Sequence, residues 1–141
     1  MAVAADLLGC WKMTSWTRKV VATGETSDAM GSDPLGYICY QANGLMFATV
    51  FNTDRGILRG RVPSTDEKAV LFDTMLAYVA NYTVEGSTVV HHVKGAWNPA
   101  WEVDLVRPFV LEGDRLVISN APSNDPRTGE AVIYHLEFVR V

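Results

Sequence analysis

Residues 77–95, AYVANYTVEGSTVVHHVKG, alternate aromatic and β-branched side chains with small or polar ones on either side of Glu85-Gly86. Two such runs around a glycine turn predict antiparallel strands near 77–84 and 87–95, joined as a hairpin. Neighbours on a strand point to opposite faces, so the adjacent His91 and His92 have different surroundings. One face of the second run carries Val89, His91, Val93, Gly95 and Trp97, and the other Val90, His92, Lys94 and Ala96. An unpaired buried lysine is costly. The Lys94 face therefore meets water, which turns His92 outward and His91 inward.

Working outward from this hairpin, similar runs predict strands near 10–20, 35–41, 45–52, 101–112, 115–120 and 131–140, eight in all. Asn43-Gly44 and Glu112-Gly113-Asp114 are short connections that pair sequential neighbours. Between the third and fourth strands, Ser64-Thr65-Asp66-Glu67 has the form of a capping box. Ala69, Phe72 and Met75 or Leu76 then share one face of a helix expected to cover an open end of the sheet. Eight antiparallel strands with tight turns stack as a sandwich or close into a barrel. Closure removes the exposed edges, and an eight-stranded barrel can hold one small ligand.

Leu8-Gly9-Cys10-Trp11 favours closure, because it resembles the Gly-x-Trp that opens the first strand of lipocalins. Arg140 matches the basic residue that stacks on that tryptophan. The stretches LLGCWKMTSW, PLGYICYQANGLM, LAYVANYTVEGSTVVHHV and GDRLVIS are similar to a family of small bacterial and fungal lipocalin-like domains, over nearly the whole chain. The resemblance implies an all-β fold of the calycin type, an eight-stranded antiparallel lipocalin-like barrel with one helix between strands 3 and 4, as a single domain over residues 1–141. Related calycin-type barrels include carriers and cofactor-free enzymes that cyclise or isomerise natural products.

Composition narrows the function. The 141 residues carry 16 acidic and 12 basic side chains, net charge −4, without a lysine- or arginine-rich run, which argues against nucleic acid or an anionic membrane as partner. No apolar run approaches a membrane span of about 20 residues. The N-terminal MAVAADLLGC lacks the basic start of a signal peptide, and Cys10 and Cys39 have neither metal spacing nor a disulfide framework, so a cytoplasmic chain with reduced thiols is expected. Asn81-Tyr82-Thr83 fits a glycosylation acceptor but falls in a predicted strand. Phosphate loops, nucleophile elbows and metal-ligand spacings are missing from the sequence, so no metal and no cofactor is expected. The expected partner is a small apolar ligand, and a homodimer is the one assembly left open.

The strand patterns nominate the site. Glu102 and Asp104 share one face of their strand, leaving Val103, Leu105, Arg107 and Phe109 on the inner one. An enclosed arginine keeps its charge and needs an anionic partner, either a carboxylate such as Glu137 or a ligand oxygen. Trp97 and Trp101 flank Asn98-Pro99-Ala100 at one rim. Tyr78 and Tyr82 share an inner face, where the Tyr82 hydroxyl bonds either a ligand carbonyl or the backbone. A two-residue turn at Asn43-Gly44 would group Tyr37 with Met46 and Ala48, whereas a bulged three-residue loop groups Ile38 and Tyr40 with them; the bulged form is favoured, with Tyr40 and Met46 lining the pocket. Arg55, Arg59 and Arg61 form a loose basic group in a loop long enough to serve as a lid.

These residues suggest a cofactor-free cyclase, isomerase or dehydrating lyase acting on a polyketide- or terpenoid-like molecule. His91 would move a proton, Arg107 or Tyr82 would steady negative charge on oxygen, and Tyr40, Met46, Tyr78, Trp97, Trp101, Phe109 and Glu137 would hold the substrate. The alternative is a carrier in which the same groups only orient a ligand, with His91 hydrogen-bonding inside a polar core. In a third reading the cavity is filled and the chain is a structural subunit.

Overall fold

The computed structural model describes residues 4–125 and 127–141. Its strands are β1 (Gly9–Val20), β2 (Thr26–Asp28), β3 (Leu35–Tyr40), β4 (Leu45–Phe51), β5 (Met75–Glu85), β6 (Thr88–Ala96), β7 (Asp104–Glu112), β8 (Arg115–Ser119), β9 (Ser123–Asn124) and β10 (Ala131–Arg140), with one helix, α1 (Thr65–Asp73). The sheet order is β2-β1-β3-β4-β5-β6-β7-β8-β10-β9, and β1 also pairs with β10. That last pairing closes the eight long strands into an antiparallel barrel, leaving β2 and β9 as short flanking ribbons. At three and two residues, these ribbons are too short to leave a periodic signal in the sequence.

Trp11 closes the narrow end. Its indole is fully buried and donates from Nε1 to the Leu7 carbonyl at 2.9 Å, while the Arg140 guanidinium lies 4.0 Å from the ring centre. Arg140 also donates to the carbonyls of Leu8 and Asp6, each at 3.0 Å, so it ties the first turn of the chain to the last strand. Gly9 has φ +109°, a conformation that a side chain resists, which is a local reason for glycine two residues before the tryptophan.

Two irregularities shift the inner face. In β1 the register against β10 slips between Met13 and Ser15, so Trp11 and Met13 point inward first and Trp16 afterwards. In β6, Val93 faces Ala80 and Gly95 faces Val79, leaving Lys94 as the extra residue of a bulge. Simple alternation places Gly95 inside; the bulge instead turns Gly95 toward the outward Val79 and brings Ala96 opposite the buried Tyr78.

The hairpin between β3 and β4 takes the bulged form. Tyr40 pairs with Met46 and Ile38 with Ala48, Gln41 N–H donates to the Leu45 carbonyl at 2.8 Å, and Gly44 has φ +87°. Strand β7 begins at Asp104 rather than near 101, because Pro99–Trp101 coil into a single 3-10 turn capped by the Asn98 side chain. Val103 is consequently exposed instead of sharing the inner face with Leu105.

Helix α1 carries the predicted capping box: Ser64 Oγ accepts from Glu67 N–H at 3.2 Å, and Glu67 Oε1 accepts from Ser64 N–H at 2.8 Å. The expected apolar face does not pack down, since no helix residue is buried and Met75 and Leu76 belong to β5. Its hold on the barrel is local. Arg55 donates to the Leu71 carbonyl and to Thr74 Oγ1 and lies 5.0 Å from the Phe51 ring centre, so this arginine pins the long loop to the helix end. Arg59 and Arg61 are exposed.

Free thiols were the sequence expectation, and the structure corrects it. Cys10 and Cys39 stand opposite each other on β1 and β3 and are joined as a disulfide. Spacing alone could not reveal this, because 29 residues separate a pair that only the β1–β3 register brings together.

Candidate functional site

Strand β6 turns His91 into the barrel, where it is 1% exposed, and leaves His92 half-buried on the outer face. His92 there bridges Thr83 Oγ1 and Asp104 Oδ1, each at 2.9 Å. His91 is held from both ring nitrogens. Tyr40 Oη lies 2.7 Å from Nε2, and Tyr78 Oη lies 2.8 Å from Nδ1.

The direction of these bonds follows from satisfying each donor. A neutral imidazole has one N–H and one lone pair. His91 is the one partner of either hydroxyl among the described residues, but Tyr40 is fully enclosed and off the cavity wall, so the arrangement that leaves no donor unused has the Tyr40 hydroxyl donating to Nε2. The proton then sits on Nδ1, which donates to Tyr78 Oη. Tyr78 lines the inner cavity and keeps its own O–H free to donate into it.

Burial fixes the charges. Removal from water, reinforced by the nearby Arg107 charge and by His92, brings the His91 pKa down to about 3, so the ring is neutral. Burial pushes the Tyr78 hydroxyl up to about 12, against the opposing effect of Arg107, and holds Tyr40 well above the ordinary tyrosine value. Arg107 is 9% exposed, and burial lowers its pKa against the stabilising influence of Tyr78, Tyr134 and Tyr40; an arginine nevertheless keeps its proton. Among the described residues it makes no ion pair and no hydrogen bond through its side chain.

The inner cavity touches Trp16, Tyr78, His91, Trp101, Arg107 and Tyr134 among a mostly apolar wall, and leaves about 30 Å³ for the centres of water molecules. That is room for roughly one or two waters. A larger vestibule of about 280 Å³ adjoins it, and Trp101, Arg107 and Tyr134 line both spaces. These three side chains form the boundary between the two spaces.

The other nominated residues fall into place around this centre. Tyr40, Met46 and Phe109 are buried in the core but do not line the cavity, and Tyr40 acts on it only through His91. Trp97 stands outside it, donating from Nε1 to the Phe72 carbonyl at 3.1 Å and packing 5.4 Å from Trp101. Tyr82 Oη donates to the Gln41 carbonyl at 2.7 Å, the backbone option, so of these two neighbours on β5 it is Tyr78 that faces the cavity. Glu137 is neither a wall residue nor the partner of Arg107. It lies on the outer face of β10, bonded to Arg115 and within 3.3 Å of His135.

Trp16 and Tyr134 are two aromatic wall residues with polar groups that strand reading missed. Tyr134 alternates inward with Val132 and Phe138 and could have been found that way, whereas Trp16 is reached only through the bulge at Thr14. Among the described residues there is no group of three or more His, Cys, Asp or Glu able to hold a metal, and no helix long and apolar enough to cross a membrane.

Comparison with curated proteins returns no match. The family comparison does, with a lipocalin-like domain aligned to residues 8–135, from the turn before Trp11 to the middle of β10. With the closed barrel and the Trp11–Arg140 stack, the chain belongs to the lipocalin-like domain family.

Proposed function

We propose that the barrel binds a small, largely apolar molecule and orients it through an oxygen atom held by the Tyr78 hydroxyl beside Arg107. The observation that carries this reading is the buried chain Tyr40–His91–Tyr78, which ends on the cavity wall next to an unpaired guanidinium. Donor groups fixed in an apolar wall are what an oriented small-molecule site requires. Binding is favoured over chemistry because each member of the chain is locked neutral: His91 titrates near 3, Tyr78 near 12 and Tyr40 above the ordinary value. None of them takes up or gives away a net proton near neutral pH.

Catalysis is the second reading, and the continuity of the same chain favours it. A cofactor-free cyclase, isomerase or dehydrating lyase acting on a polyketide- or terpenoid-like molecule would use Tyr78 and Arg107 to steady negative charge growing on a carbonyl oxygen. His91, donating from Nδ1, would hold the Tyr78 hydroxyl turned so that its proton faces that oxygen.

Titration with a panel of apolar carbonyl compounds, followed by the fluorescence of Trp16 and Trp101, tests the proposal. Saturable binding that Tyr78→Phe weakens by about tenfold, the equivalent of one hydrogen bond, is the expected result. Saturable binding indifferent to Tyr78→Phe and to Arg107→Gln would move the ligand elsewhere. Mass spectrometry of the recovered compounds separates the two readings, since a carrier returns them unchanged.

A further inference from the structure

The cavity wall is rich in unpaired donors and carries no anion, its hydroxyl oxygens, Tyr134 Oη among them, being neutral. Arg107 brings a guanidinium that no described residue pairs, Tyr78 brings a free O–H, and the indole Nε1 atoms of Trp16 and Trp101 are buried without a hydrogen-bond partner. No aspartate or glutamate lines the inner cavity. The buried carboxylate of Asp125 is already engaged, accepting from Arg18 Nε at 2.9 Å through Oδ2 and from Arg127 N–H at 2.8 Å through Oδ1. Asp104, at the edge of the vestibule, is turned to His92. Residues 1–3 and 126 are Met, Ala, Val and Pro, so none of their side chains is acidic.

A buried cation without a counter-ion is one of the costliest arrangements a fold can keep, because the interior does not replace the lost hydration. A neutral carbonyl ligand would satisfy a donor or two and leave the charge. An anionic oxygen pair satisfies both the charge and the fork of N–H groups.

We infer that the molecule held in the barrel is an apolar carboxylic acid bound as its anion, with Arg107 as counter-ion and Tyr78 as a further donor. This rests on the binding reading above and names its ligand class. The carboxylate sits where the inner cavity meets the vestibule, the boundary that Arg107 lines on both sides. The inner cavity has room for little beyond the carboxylate, so the apolar remainder lies in the vestibule, against Leu105, Val106 and Pro122.

Calorimetric titration with two matched pairs tests it: decanoate against decanamide, and 4-phenylbutyrate against 4-phenylbutyramide. At least one acid should bind ten times or more tightly than its amide, and Arg107→Gln should erase that preference by weakening the acid while leaving the amide nearly unchanged. Amides that bind as tightly as their acids overturn the carboxylate assignment and leave the binding reading standing. Silence from all four compounds overturns both. A second variant, Arg107→Met, keeps the matter decidable if Arg107→Gln misfolds. With no ligand present, removing an unpaired buried charge should leave the melting temperature unchanged or raise it. An Arg107→Met protein that melts far below the wild type would show the arginine already satisfied by the fold, and the counter-ion role would fall.

Discussion

Acidification should unfold the protein earlier than its carboxylates require, and the cause is His91. The unfolded chain presents an ordinary histidine with a pKa of 6.5, whereas the native ring titrates at about 3. Between these values the unfolded state binds one proton that the native state refuses, so stability falls as the pH falls. This contribution is fully present above 6.5 and is lost progressively toward 3. The slope approaches about 1.4 kcal/mol per pH unit, giving roughly 2 to 3 kcal/mol between about pH 7.5 and pH 4.5. Asp125, whose partners hold it below its ordinary 3.8, also loses its stabilising contribution on acidification, but only at lower pH. Urea unfolding followed by tryptophan fluorescence at half-unit pH steps gives the curve, and His91→Gln provides the reference. The difference between the two proteins cancels every other titrating group. Wild type and variant falling in parallel through this window would refute the neutral, doubly bonded imidazole.

Three further outcomes are expected. Trp11→Ala should lower unfolding stability by about 3 to 5 kcal/mol, read by urea denaturation, because a large and fully buried ring leaves a cavity beneath Arg140. Replacing Cys10 and Cys39 by serine should cost about 3 to 4 kcal/mol from the released chain entropy of a 29-residue separation, and thiol titration of the native protein before reduction should find no free thiol. Tyr82→Phe should cost about 1 kcal/mol, the worth of its bond to the Gln41 carbonyl, and leave ligand affinity unchanged in the calorimeter.

Strand by strand, the barrel was legible because seven of its eight long strands start and stop within two residues of where turn residues and alternation put them. The exception is β7, where the polar Asn98 and the imino ring of Pro99 curl the chain into a 3-10 turn; alternation has no signature for such a turn. His91 and Arg107 were legible through their neighbours, since Lys94 fixes one face of β6 and Glu102 with Asp104 suggests the outer side of β7. Pairwise partnership was not. Choosing Tyr78 over Tyr82 depends on where two hydroxyls reach, and both tyrosines sit on the same side of β5. By charge alone Glu137 is a fit partner for Arg107, yet β10 turns Leu136 and Phe138 to the cavity and Glu137 to the other side. Bulges are the remaining blind spot, because one extra residue at Thr14 or Lys94 inverts everything beyond it.

The seam between β1 and β10 sets a clock on biosynthesis. Trp11 pairs with Arg140, so the first long strand made is zipped to the last, while its other long neighbour, β3, is available almost at once and can be stapled to it through Cys10 and Cys39. A growing chain emerges at about 5 to 20 residues per second. For the several seconds between the appearance of β1 and that of β10, the nascent sheet has an unfinished margin that invites pairing with neighbouring chains. Any truncation that removes residues 131–140 would make that transient margin permanent.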